Sequence, residues 1–202
     1  QAIVSPVNMQ VFYVGLRNEI AVAFPGIADL TSIRVDGGQN GSIIRTGSKY
    51  FAAPNAGVET MDVIVSGKAN DQVITSLVNF RVEAEPPGKA SVVSRSGGIE
   101  TIFTNTERIP KSSLINGRIP GEKAPGMLYD YSVSIKKFEV TVGNFTTKTV
   151  VGNRVRDLAA AQADVESAGP GTAVNFTILE ATKQDGDLVT PTTVDKFSVT
   201  IK

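Results

Sequence analysis

The feature that most constrains this chain is Glu85-Pro86-Pro87-Gly88, set between two strand-like runs, Asn79-Phe80-Arg81-Val82 and Ala90-Ser91-Val92-Val93. Proline has no backbone N–H and a fixed φ, so a Pro-Pro pair cannot sit inside a sheet ladder. It also holds the preceding residue extended, and Gly88 frees the backbone to change direction. The stretch therefore reads as a short, semi-rigid joint, with Glu85, Pro86, Pro87 and Gly88 as hinge residues. A proline-interrupted corner within one large sandwich is the alternative. The joint reading is preferred because each side holds enough short strands to close its own core. The expected organisation is a domain over 1–84, a joint over 85–89 and a domain over 90–202.

Hydrophobic alternation sets the fold class. Met9–Gly15 is β-branched and aromatic, Arg17-Asn18-Glu19 reads as a polar turn, and Ile20, Val22 and Phe24 alternate towards one core before Pro25-Gly26 stops the run. Ser32–Val35 ends at Asp36-Gly37-Gly38. Thr46-Gly47-Ser48 reads as a hairpin turn between Ser42–Arg45 and Lys49–Ala52. In Thr60–Ser66, Val63 and Val65 fall on one face, and two runs, Gln72–Ile74 and Ser76–Val82, lead into the joint. About seven short strands with a turn signal every 8–12 residues or so is the sandwich pattern, here without cysteines to pin it.

In the second half, Ala90–Ser94 is a strand closed by Gly97-Gly98, and Ile99–Leu128 reads as loops and short strand pieces. A loop this long in a compact domain is often functional, so it is the first candidate for a dimer or partner contact, with no individual interface residue identified. Tyr131, Val133 and Ile135 alternate on odd positions, then Phe138, Val140 and Val142 on even ones. That change of phase indicates a bulge or bend at Lys136-Lys137, a pair that reads as a solvated strand edge discouraging unwanted pairing. One helix is expected over 153–168, capped by Asn153, with a stripe of Val155, Leu158, Ala161 or Gln162, and Val165, and stopped by Gly169-Pro170. Strands return over Ala173–Ala181, through the turn Gln184-Asp185-Gly186-Asp187, and over Val194–Ile201. The fold class is thus mainly β: two tandem β-sandwich, Ig-like domains, the second with one short α-helix.

Function is bounded by what the 202 residues lack. There is no cysteine and no histidine. This removes disulfides, thiolate nucleophiles, Ser-His-Asp catalysis and the usual metal ligands, and argues against an enzyme. Lysine plus arginine equals aspartate plus glutamate, 20 against 20, so no net positive charge drives binding to a phosphate backbone. No Ser-x-x-Lys motif stands between a strand and a helix. Asp185-Gly186-Asp187 is better explained as a hairpin turn than as a Ca²⁺ loop, and Gly37–Gly41 lacks the Lys-Ser/Thr of a P-loop. Asn40-Gly41-Ser42, Asn144-Phe145-Thr146 and Asn175-Phe176-Thr177 match the N-glycosylation tripeptide, which is common by chance. No apolar run approaches the roughly 20 residues that span a bilayer. The chain begins Gln1-Ala2-Ile3-Val4 with neither Met nor a basic n-region, and reads as an excised or processed fragment.

The run Val4-Ser5-Pro6-Val7-Asn8-Met9-Gln10-Val11-Phe12-Tyr13-Val14-Gly15-Leu16-Arg17-Asn18-Glu19-Ile20-Ala21-Val22-Ala23-Phe24-Pro25-Gly26 resembles the opening of the C-terminal periplasmic region of the GldM/PorM family. That family's pattern reads approximately V-S-P-x-x-M-x-V-x-Y-x-G-x-x-N-P-I-x-I-x-x-P-G. Phe80-Arg81-Val82 before Pro86-Pro87 resembles its F-R-V…P-x-P junction, and the strand around Phe138-Glu139-Val140, the short helix and the Asp185-Gly186-Asp187-Leu188 hairpin resemble its tail. Glu19 stands where the family usually has Pro, and the joint reads Glu85-Pro86-Pro87 rather than Pro-x-Pro.

The resemblance implies the last two periplasmic domains of a type IX secretion and gliding-motility component. These would form a non-catalytic, homodimeric shaft without cofactors, metal, nucleic acid or small-molecule substrate. An inner-membrane segment absent from this fragment would anchor it and, with GldL (PorL), form the proton-driven motor. The shaft would reach the outer-membrane-associated GldK/GldN (PorK/PorN) ring. The alternative function is a pair of tandem Ig-like adhesin or carbohydrate-binding modules of a secreted protein, weakened by the absence of Trp.

Overall fold

The computed structural model describes residues 3–7, 11–23, 34–69 and 72–202. Phe24, Pro25-Gly26, Met9-Gln10 and Ser32-Ile33, all used in the strand expectations, lie outside the described residues. The chain is mainly β and separates into two compact units, 1–85 and 86–202.

The first unit has strands β1 Ile3–Pro6, β2 Phe12–Tyr13, β3 Asn18–Ala23, β4 Arg34–Asp36, β5 Gly41–Thr46, β6 Lys49–Pro54, β7 Thr60–Ala69 and β8 Gln72–Glu83. They form two 4-stranded sheets, β1-β3-β6-β5 and β2-β8-β7-β4. Read as A-B-E-D and A′-G-F-C, this is the immunoglobulin strand order, with β2 running parallel to β8. Inward residues of both sheets make one core: Ile20 and Ala52 from one, Phe12, Met61, Val63, Val65, Phe80 and Val82 from the other. The rings of Phe12 and Phe80 stack at 4.5 Å. Val22 packs against this core as expected. The hairpin at Gly47 (φ 61°) joins Thr46 to Lys49.

Arg17-Asn18-Glu19 is not the polar turn expected. The turn falls one step earlier, where Gly15 takes φ 72°, and Asn18 starts β3 with only 1% of its surface exposed. Its side chain replaces backbone partners in the interior. Oδ1 accepts the Tyr13 N–H (2.7 Å), and Nδ2 donates to the carbonyls of Tyr13, Leu16 and Ala52 (3.0 Å each). One buried amide thus ties β2 of one sheet to β3 and β6 of the other, because buried backbone groups must find partners.

The second unit has β9 Lys89–Ala90, β10 Val92–Ser96, β11 Ile99–Phe103, β12 Arg108–Ile109, α1 Lys111–Asn116, β13 Gly121–Glu122, β14 Ser132–Val142, β15 Lys148–Val151, α2 Ala159–Ser167, β16 Ala173–Asp185, β17 Leu188–Thr192 and β18 Phe197–Ile201. An 8-stranded sheet runs β12-β18-β16-β14-β13-β9, with β15 on β14 and β17 on β16, and β10-β11 form a separate hairpin. A bridge from Gly88 to Val194 ties the β9 end back to the segment entering β18, so the sheet curls on itself. Phe138, Phe176 and Phe197 form its centre, the last two stacked at 4.6 Å. The register of β14 against β16 slips between Ile135 and Lys137 and again before Phe138, which is the bulge that the change of phase announced. Asp185 and Leu188 flank a tight turn with Gly186 at φ 60°.

The helical content differs from the single helix expected. Val155–Asp157 is a 3₁₀ turn, Leu158 is extended (φ −128°, ψ 114°), and α2 begins only at Ala159. The cause is Asp157, whose Oδ2 accepts the N–H groups of Asn153 (3.1 Å) and Arg154 (2.9 Å). This local turn competes with helix propagation, and Asn153 does not cap the helix. The stripe survives the break, with Val155, Ala161 and Val165 fully buried. A second helix, α1, occupies a stretch read as loop. Pro110 precedes it at φ −62°, a fixed value suited to a helix start, and Leu114 anchors it.

Candidate interaction surfaces

Ala84 to Pro87 belong to no strand, and Pro86 and Pro87 are exposed. Gly88, the fourth hinge candidate, is built into the second unit. It donates to the Thr193 carbonyl (2.9 Å) and accepts the Asp195 N–H (2.9 Å). Its φ lies outside the left-handed region, so conformational freedom is not why glycine stands there. A Cβ at this position would lie 2.4 Å from the Glu122 carbonyl oxygen. The requirement is close backbone approach. The stretch free of ladder bonds is therefore shorter than 85–89.

The segment Ile99–Leu128 divides into an interior and a surface. Ile109, Leu114, Ile119, Ala124 and Met127 are buried and build the core of the second unit. What it offers outward is Ile99 (72% exposed) and Ile102 (52%) on β11, and Leu128 (67%). Among the described residues β11 pairs only with β10 and leaves its other edge open, with Glu100 joined to Arg118 at 3.3 Å. Edge strands with exposed apolar residues and no proline or lysine invite pairing. The Lys136-Lys137 bulge, by contrast, lies inside the sheet, covered by β15 and β16.

Among the described residues no three His, Cys, Asp or Glu side chains are grouped to hold a metal ion. Burial pushes the Tyr13 phenol up, and the carboxylate of Glu83 acts the same way. Tyr13 is buried beside Asn18. Among the described residues, too, no helix is long and apolar enough to cross a membrane. The tripeptide at Asn175 lies mid-strand in β16, while that at Asn144 lies in the exposed β14–β15 turn.

Fold and surfaces together define a mainly β protein whose first unit is an immunoglobulin-type sandwich. Residues 1–83 match the family model of the GldM third domain. The match ends at Glu83, the last residue of β8. The match thus covers the first unit, which is similar to the GldM third domain. The resemblance drawn from Val4–Gly26 is borne out over this stretch. Comparison with curated proteins gives no match. Among solved structures the chain is similar to the fibronectin(III)-like modules of Clostridium thermocellum CbhA, at 12% identity over 100% of this chain and 93% of that one, with a TM-score of 0.32. It is similar also to human protocadherin-24 EC1-2, at 10% identity over 95% and 93%, with a TM-score of 0.27.

Proposed function

We propose that this chain is a non-catalytic segment of a periplasmic shaft. In this reading a homodimer couples the inner-membrane proton-driven motor, which includes GldL, to the outer-membrane-associated GldK/GldN ring. The observation that carries the reading is the match to the GldM third domain over residues 1–83. Two features fit it: two compact units follow each other in the chain, and exposed Pro86-Pro87 stiffen the short connection where glycine and serine would slacken it. The connection, with Glu85, Pro86 and Pro87 at its centre, then governs how motion passes from one unit to the next. The exposed edge of β11, with Ile99 and Ile102, is the first place to seek a subunit or ring contact. Light scattering on the purified chain at tens of micromolar tests the dimer. A particle of twice the chain mass is expected, and a monomer counts against the shaft. Specific, saturable glycan binding in place of ring binding would favour the adhesin reading.

A further inference from the structure

The strand that opens the second unit is paired on one edge in two places and left bare between them. Gly88 exchanges hydrogen bonds with Thr193 and Asp195, and from Val92 onward the same edge pairs with β11, Val92 opposite Phe103. Lys89 and Val93 turn the other way, Lys89 opposite Glu122 and Val93 bonded to Arg118 at 2.8 and 2.9 Å. Backbone alternation along a strand then directs the N–H and C=O of Ala90 into the bare stretch. The strand entering β18 is likewise held on either side of a bare residue. Asp195 is held by Gly88, and Ser198 accepts the Thr106 N–H (2.7 Å) and donates to Asn105 Oδ1 (2.8 Å). Lys196 between them makes no backbone hydrogen bond to any described residue.

These two bare stretches border one cleft of about 410 Å³, within the roughly 300–1,000 Å³ of ligand pockets. Ala90, Ser91 and Phe197 line it and are buried, while Lys89, Glu122, Asp195 and Lys196 line it and are exposed. The Ser91 hydroxyl is buried without a partner. Thr104 and Asn105 complete its wall, and the next residue, the β-branched Thr106, takes φ 70°. Such strained positions cluster at ligand clamps.

We propose that this cleft binds a short extended polypeptide segment from a partner, which pairs backbone to backbone with Ala90 and Lys196. Unpaired backbone groups at a buried strand call for further backbone, the logic of strand addition. The two lysines and two carboxylates around it suit a segment of polar side chains carrying both signs of charge. A sugar fits less well, because the ring of Phe197 is buried and offers no face to stack on. The inference does not depend on the proposed place in a secretion machine.

Selection of a phage-displayed random heptapeptide library on the whole 202-residue chain, followed by fluorescence anisotropy of the enriched peptides, tests it. Lys196→Pro removes a backbone donor and Lys196→Ala keeps it. The expected result is a loss of about tenfold in affinity for Lys196→Pro, the cost of one buried backbone hydrogen bond, and a much smaller change for Lys196→Ala. Should Lys196→Pro fail to fold, amide shift mapping on the unmutated chain decides, with the Ala90 and Lys196 resonances expected to move on adding peptide. No enriched peptide, equal binding to Lys196→Pro, shifts confined to other residues, or a glycan bound instead would overturn the proposal.

Discussion

Replacing Asn18 with alanine removes the amide that ties the two sheets of the first unit together. Its Oδ1 serves the Tyr13 N–H, and its two N–H donors serve three carbonyls, those of Tyr13, Leu16 and Ala52. The variant loses the equivalent of about three hydrogen bonds at about 1 kcal/mol each, and a group left buried and unpaired costs ~1–3 kcal/mol unless water reaches it. A destabilisation of about 3 kcal/mol follows, which for a domain of this size lowers the melting temperature by about 12–24 °C. Hydrogen–deuterium exchange read by peptide separates the two units. Protection should fall in the Met61–Val65 and Phe80–Val82 strands and hold in the Phe138–Val142 strand. Asn18→Asp keeps an acceptor but loses both donors and buries a carboxylate, so it should be at least as damaging. A loss below about 1 kcal/mol in Asn18→Ala would refute the reasoning, since one ordinary hydrogen bond would account for it.

Gly88→Ala places a Cβ 2.4 Å from the Glu122 carbonyl oxygen and should lower the stability of the second unit by about 1–3 kcal/mol, read from its melting transition. Gly169→Ala is the matching control: its Cβ would meet nothing within 4 Å and its φ is not left-handed, so the same transition should hold or rise slightly. Burial raises the Tyr13 phenol above its ordinary value of 10.0, so the folded first unit holds that proton more tightly than the unfolded chain does. Its contribution is complete below the ordinary value and is lost as pH rises through the folded one. Denaturant unfolding should therefore show stability of the first unit falling above about pH 10, and Tyr13→Phe should remove that part of the fall. Pro86→Gly with Pro87→Gly should leave both melting transitions in place while impairing secretion or gliding in cells, and unimpaired cells would reduce these prolines to a plain connector.

Strands were legible because period-two alternation registers directly in burial. Tyr131, Val133 and Ile135, then Phe138, Val140 and Val142, are all buried, and the bulge lies where their phase changes. What stayed hidden depends on contacts distant in sequence. Asn18 looks like a turn residue until β6 brings the Ala52 carbonyl to it. Gly88 looks like a hinge until Glu122 packs against it. The six residues of α1 are too few to show a helical stripe, although Pro110 before them and Gly117 after them were visible signals. The break at Leu158 turns on one carboxylate, Asp157, reaching back to Asn153 and Arg154. The cleft beside Ala90 and Lys196 is lined by residues from four segments distant in sequence, which no local pattern encodes.

The most direct measurement is co-purification of this chain, as bait, with the GldK/GldN ring from detergent-solubilised envelopes. A GldM-type shaft segment predicts capture of the ring, weakened by placing a charge on the exposed apolar edge of β11, for instance Ile102→Asp. Failure to retain any ring subunit while both units remain folded would contradict the account.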